Sequence, residues 1–414
     1  MINGRAWTST VSNANPVRFR DEGMQGHAFD MLQRRCHRLR GVLRRLQWPQ
    51  ITHLLASGQE HELPLKAGDA DAARRKPLSA AELQYLIGFF DGDGCVSVRT
   101  CRSSCTLAIT QSFDRGEAIL LFRAAFGGGI YMRGAGLGSR KPCVQWTVSG
   151  QAGKQAAMLL SQWPSMKQAQ LHIAANWPKC PKARAEQTAS LKPLKHHLYK
   201  PMQVACSWQY LSGFFDAEGY IKVPVHSPSV NLSLGQKNRH ALDSIYSFLY
   251  VEQQGKWSTV LKSAEDSMHV LNCSNSAGSR QALTQFLSAG LLVKRGEAEL
   301  ALSLDNSNHM EVREGLSQMS GNQSKHSRLD AKGVLRDIQI RRLSGVARRA
   351  KLRGSCELAV GHELQLRELR QTHGVERMRS RMVALRTDIR SLLKSGANLA
   401  QVTSADEQRK RVIK

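Results

Sequence analysis

Two acidic residues, Asp93 and Glu218, stand at the same place in two copies of one short pattern. The first copy is Leu86-Ile-Gly-Phe-Phe-Asp-Gly-Asp-Gly94 and the second is Leu211-Ser-Gly-Phe-Phe-Asp-Ala-Glu-Gly219. Each is preceded by an aromatic-rich helical lead-in (Leu83 and Tyr85; Trp208 and Tyr210) and followed by a β-patterned run, 95–98 or 220–223. Each acid is therefore expected where a helix ends and a strand begins. A helix C-terminus carries negative partial charge, which disfavours a carboxylate there by a few tenths to ~1 kcal/mol. Two carboxylates brought together at two such ends repel one another, and a divalent cation between them would offset the repulsion. Asp93 and Glu218 are read on this ground as metal ligands, with the preceding Gly92 and Ala217 included in the metal site.

The elements that would position these acids follow from the flanking residues. Gly88 and Gly213 would let the two helix backbones approach closely while neighbouring Leu and Phe side chains pack around the contact. Gly94 and Gly219 are expected to take the left-handed conformation that commonly ends a helix. Asp91 and Asp216 are read as structural helix-end residues rather than ligands. The first copy continues with expected strands over 95–100, 107–112, 130–133 and 144–149 and helices over 114–126, 152–162 and 165–176. The second repeats that order, with strands over 220–225, 231–234, 256–261 and 268–272 and helices over 239–250, 277–289 and 293–304. Gln111 and Gln236 each lie 18 residues past the acid, and Lys167 and Lys294 occupy matching later positions. A repeat kept at four points implies an α+β fold of two tandem αββαββα units with antiparallel sheets.

Around this duplicated region, 79–177 and 206–304 with a linker over 178–205, lie an extension over 1–78 and a tail over 305–414. The extension carries an arginine-rich helix expected over 28–47, and its first twenty residues have the composition of an organelle transit segment or a basic tail. The tail shows helical patterns loaded with arginine, the second expected over 376–394. Over all 414 residues, 59 Lys and Arg against 33 Asp and Glu give a formal net charge of +26, which points to a polyanionic partner. No apolar run reaches membrane-spanning length, so no membrane role is expected. Nine scattered cysteines without a CxxC pair argue against both a disulfide framework and structural zinc, and favour a reducing intracellular setting.

Both copies of the pattern resemble the signature of the LAGLIDADG homing endonucleases, in the form where one chain carries both halves of a DNA-cleaving domain. The resemblance covers roughly residues 79–304. It implies site-specific double-strand cleavage of DNA by a monomer at a long asymmetric target, in an organelle or the nucleus. Mg2+, replaceable by Mn2+, would be held by Asp93 and Glu218. It makes Gln111 and Gln236 residues that order water in the active site, and Lys167 and Lys294 basic groups facing solvent near the scissile phosphates. The sheets would form a basic concave surface, with Ser97, Arg99, Arg133, Arg140, Lys141, Lys222, Lys256 and Lys262 as outward DNA contacts. Gly92 replaces the usual alanine of the motif, which is expected only to weaken the helix end slightly. Two alternatives stay open: an RNA maturase that assists intron splicing, for which the basic extensions speak, and a DNA-binding derivative without cleavage.

Overall fold

The computed structural model describes residues 24–68, 78–98, 103–194, 203–258, 261–262, 268–319 and 328–400. The expected transit segment lies outside them. The chain opens with α1 (Met24–Leu43), β1 (Leu46–Gln47) and the hairpin β2 (His53–Ala56) and β3 (Gln59–Glu62). The first repeat follows as α2 (Ala80–Asp93), β4 (Gly94–Val98), β5 (Cys105–Ser112), α3 (Glu117–Phe126), β6 (Gly129–Gly134), β7 (Cys143–Ser149), α4 (Gly150–Leu160) and α5 (Gln168–Ala175). A linker helix α6 (Pro181–Leu194) leads to the second repeat: α7 (Trp208–Glu218), β8 (Gly219–Lys222), β9 (Asn231–Gln236), α8 (Arg239–Glu252), β10 (Leu261–Lys262), β11 (His269–Cys273), α9 (Ser276–Ser288) and α10 (Arg295–Leu302). The tail adds α11 (His309–Met319), α12 (Ala331–Leu352), α13 (Cys356–Lys394) and β12 (Asn398–Leu399).

Each repeat is built on a four-stranded antiparallel sheet, in the order β4-β5-β7-β6 and β8-β9-β11-β10. The strand order is the same in both, so the fold is two tandem αββαββα units. Period-two alternation sends Val144, Trp146 and Val148 of β7, and Leu232 and Leu234 of β9, into the core. The opposite faces carry half-exposed polar residues such as Gln145, Thr147, Asn231 and Ser233.

The motif helices start on capping hydroxyls: Ser79 and Glu82 form a capping box, and Ser207 accepts from the Tyr210 backbone N–H. They then pack directly on each other. A Cβ on Gly88 would lie 1.9 Å from the Tyr210 carbonyl oxygen, and one on Gly213 would lie 2.0 Å from that of Tyr85. Only glycine permits this approach. The helix ends differ from the expected left-handed turn: Gly94 (φ −74°) and Gly219 (φ −77°) are extended and lead straight into β4 and β8. Glycine is needed there for space, since a Cβ on Gly94 would meet the Phe90 ring and carbonyl at 2.4 Å.

The extensions are more integrated than their composition implies. Leu54 of β2 is fully buried in the core of the repeats, Leu65 exchanges backbone hydrogen bonds with Ile130 of β6, and Val312 and Leu316 of α11 join the same core. A second, smaller core forms where α1 of the extension meets α13 of the tail. Cys36 and Leu43 of α1 pack with Leu46 and with Leu385, Ile389 and Leu392 of α13, and β1 pairs with β12. The second tail helix runs from Cys356, well before the expected 376, because widely spaced apolar residues (Ala359, Leu366) among the charges pack against α12. In the second repeat, the strand expected over 256–261 is a strand at Leu261–Lys262, residues 256–258 are not part of it, and 259–260 lie outside the described residues. Trp257 turns inward instead and donates to Gln253 Oε1 at 2.6 Å.

Candidate active site

The pairing of α2 with α7 brings the two acids to one spot. Gly92 fixes how close they come: a Cβ there would fall 2.3 Å from Ala217 Cβ and 3.1 Å from Glu218 Cγ. The expectation that this glycine only weakens the helix end is therefore corrected, because an alanine would wedge the two helix ends apart. Gly92 and Ala217 face each other across the junction, with Asp93 and Glu218 beside them.

Each acid is held by its own glutamine. Gln111 Nε2 donates to Asp93 Oδ2, and Gln236 Nε2 donates to Glu218 Oε1 at 3.3 Å. Strand alternation explains the arrangement. Gln111 has the parity of the buried Leu107 and Ile109, and Gln236 that of Leu232 and Leu234. Each glutamine thus points to the helical side of its sheet, at the strand end that passes the motif helix terminus.

The lysines are placed differently from the solvent-facing role the resemblance implies. Lys167 Nζ donates to the carbonyls of Phe90 (2.7 Å) and Gly92 (3.2 Å), and Lys294 Nζ to those of Phe215 (3.0 Å) and Asp216. Each ammonium caps the C-terminal end of its motif helix, where the last carbonyls carry the negative pole; those of Phe90 and Phe215 also accept from the Gly94 and Gly219 N–H. Burial pulls both lysines below their ordinary range. The charges of Asp91, Asp93 and Glu218 oppose this at Lys167; at Lys294, Asp216 and Asp93 oppose it while Arg115 reinforces it.

Asp91 and Asp216 explain how the lysines are aimed. Asp91, 1% exposed, accepts from the backbone N–H of Met166 and Lys167, and from Tyr210 Oη of the other repeat at 2.8 Å. Asp216, 3% exposed, accepts from Leu292, Val293 and Lys294 N–H, and from Tyr85 Oη at 2.7 Å. Each half's tyrosine thus braces the aspartate that holds the other half's lysine loop. These tyrosines were missed as site residues, although they occupy the same offset within the two copies of the motif. A further crossing contact joins Arg115, before α3, to Glu297 of α10 and to the Met319 carbonyl at 2.7 Å.

Burial pushes the Asp93 carboxyl above its ordinary range against the pull of Lys294 and Lys167. Burial also raises Glu218, and the charge of Asp93 adds to the effect. The two acids thus lie within electrostatic reach of one another. Among the described residues, no group of three or more His, Cys, Asp or Glu side chains converges as a self-sufficient metal site. Two half-buried carboxylates with backbone carbonyls nearby form an all-oxygen donor set that fits a hard divalent cation completing its shell with water and phosphate. Lys167 already engages the Gly92 carbonyl, so the side-chain oxygens are the stronger candidates for ligands.

The expected DNA contacts divide. Lys222 is exposed on β8 opposite Asn231, Ser97 lies half-buried on β4 opposite Thr106, and Arg133 is exposed at the bulge of β6. Arg140 is exposed in the β6–β7 turn. Lys141 instead forms an ion pair with Asp114. Lys256 precedes the strand expected to carry it and donates to Gln281 of α9 at 2.8 Å, on the helical side of the sheet, which removes it from the open face. Arg99 and the side chain of Lys262 lie outside the described residues.

No family model matches the sequence, and no curated protein matches it. Solved structures do. The meganuclease I-SmaMI bound to uncleaveable DNA is 13% identical, with a TM-score of 0.45 over 62% of this chain and 100% of that one. The LAGLIDADG meganuclease I-AabMI bound to uncleaved DNA is 19% identical, with a TM-score of 0.40 over 57% of this chain and 96% of that one. I-GzeII in complex with its DNA target is 10% identical, with a TM-score of 0.40 over 58% of this chain and 97% of that one. The solved structures to which this chain is similar are LAGLIDADG homing endonucleases.

Proposed function

We propose that this chain is a site-specific DNA endonuclease that hydrolyses phosphodiester bonds at the junction of its two motif helices. One observation carries the reading. Asp93 and Glu218 lie half-buried at two abutting helix ends, each with a glutamine and a lysine from its own repeat. A purely structural junction gains nothing from holding two repelling carboxylates together partly out of water.

Mg2+ held by Asp93 and Glu218 would supply Lewis-acid polarisation of the scissile phosphate and a lowered pKa for bound water. Gln111 and Gln236 fix the rotamers of the two acids and keep one carboxylate oxygen of each oriented. Lys167 and Lys294 cap the helix ends and hold two positive charges beside the acids, where negative charge builds on the phosphoryl oxygens in the transition state. The open sheet faces, with Lys222, Arg133 and Arg140 exposed at their surfaces and turns, would lie against the duplex. Two unequal halves on one chain imply a monomer with an asymmetric target. The basic helices at the two ends favour a second reading, a maturase that binds intron RNA, for which Asp93 and Glu218 would be dispensable.

The test is selection from a randomised duplex library with Mg2+, with Mn2+ as a second arm, beside an Asp93→Asn/Glu218→Gln variant. The reading expects the native protein to cut one long sequence that the variant binds without cutting. Tight binding of structured RNA with no duplex cut would replace it with the maturase reading.

A further inference from the structure

The small core joining α1 and α13 creates a surface that the cleavage centre does not use. Cys36 and Leu43 of α1 are buried against α13, while Arg34, Arg35 and Arg38 of the same helix are exposed. On α13, Arg386, Arg390 and Lys394 are exposed at successive turns of one face. Residues 24–45 contain six arginines and one acid, and residues 377–394 contain six basic residues and one acid. The far part of the tail hairpin is basic too, with eight Arg and Lys against Glu357, Glu363 and Glu368 over residues 341–370, and Lys351 there pairs with Glu363. What distinguishes the α1 and α13 segments above is their place beside the first repeat.

That part is fastened to the β6–β7 turn. Trp48 Nε1 donates to the Gly138 carbonyl at 2.8 Å, Trp48 N–H to Gly136 at 3.0 Å, and Gly138 N–H to Leu46 at 2.7 Å. Gly138 is left-handed (φ +60°), and a Cβ there would lie 2.8 Å from the Leu43 carbonyl, so the turn sits tightly on the end of α1. The exposed Arg140 belongs to this same turn, and the exposed Arg133 lies at the end of β6 that leads into it. A basic surface therefore continues from the sheet of the first repeat onto α1 and α13.

We infer that the α1/α13 pair is a clamp for the phosphate backbone of duplex DNA beyond the cleaved site, on the side of the first repeat. The inference rests on the reading of the open sheet faces as the duplex-binding surface. Duplex is the occupant because the basic face is held rigidly at the edge of that surface, where a bound duplex runs out. Its basic side chains, spaced a turn apart along helices at the edge of that surface, match the repeat of backbone phosphates, so the clamp is expected to bind without regard to sequence.

The experiment measures binding of native protein and an Arg386→Gln/Arg390→Gln/Lys394→Gln variant to two duplexes across a salt series. One duplex is trimmed to the cleaved site, and the other is extended by two helical turns at each end. The native protein should bind the extended duplex more tightly. The variant should lose that advantage by on the order of tenfold or more, with the salt slope reduced by roughly 2 to 3, while cutting the trimmed duplex at the native rate when saturated. Footprinting should show protection shortened at one end only. Equal binding of the extended duplex by both proteins overturns the inference, as does a variant that loses structured RNA but not duplex. A native protein that cuts and binds neither duplex refutes the endonuclease reading itself, a result distinguishable from failure of the clamp alone.

Discussion

Gly92 carries more of the site than its size implies. Its missing Cβ lets Ala217 and Glu218 approach, so a Gly92→Ala substitution must push α2 and α7 apart at the point where the acids meet. Overpacking of this kind costs about 1 to 3 kcal/mol. The expected outcome is a lowered melting temperature together with a large loss of cleavage at unchanged duplex affinity; native cleavage by the variant would contradict the packing account. Asp114 offers a second residue-level test. Burial acts to raise its carboxyl, but the hydrogen bond and charge of Lys141 outweigh burial and hold it below its ordinary value. A depressed carboxyl contributes stability that is present above the ordinary aspartate range and is lost as pH falls through the folded-state value. Melting curves should therefore show native protein more stable than Asp114→Asn near neutrality, with the gap closing below pH ~4. A gap that persists or widens in acid would contradict the assignment.

Among the elements, the motif helices position chemistry through bonds that cross between repeats. Removing the hydroxyl in Tyr85→Phe leaves Asp216 without one of its partners and loosens the loop that carries Lys294. Tyr210→Phe does the same to Asp91 and Lys167. Each loss of a buried bond to a carboxylate should cost about 1.5 to 3 kcal/mol. Because each tyrosine serves one lysine, strand-resolved kinetics should show nicked intermediates accumulating on opposite strands for the two variants. Equal slowing of both strands by each would count against this division.

The sequence made the duplicated elements readable because the motif, the glutamines and the lysines repeat in register. Three features escaped it. The direction of the Lys167 and Lys294 side chains depends on helix-end carbonyls that only tertiary packing presents. Gly94 and Gly219 are extended because they lead straight into β4 and β8, and glycine is needed there because the Phe90 and Phe215 rings leave no room for a Cβ. Lys256 was misplaced because Trp257 beside it reads as a strand residue but is drawn into the core.

At the scale of the whole molecule, the described parts of the two extensions do not trail from the repeats but meet in a core of their own. Leu385 is fully buried there, and its replacement by Ala should destabilise that core by about 2 to 5 kcal/mol. Calorimetry should then show an early transition separate from that of the repeats, with cleavage of a trimmed duplex kept. Loss of that cleavage in parallel would mean that the helical pair and the repeats form one cooperative unit.

The central claim is that both acids serve one shared cleavage centre, and the most direct measurement is strand-resolved cutting of a selected duplex by Asp93→Asn and Glu218→Gln separately. The account predicts that either substitution abolishes cutting of both strands while binding persists. Double-strand cutting at the native rate by either variant would contradict it.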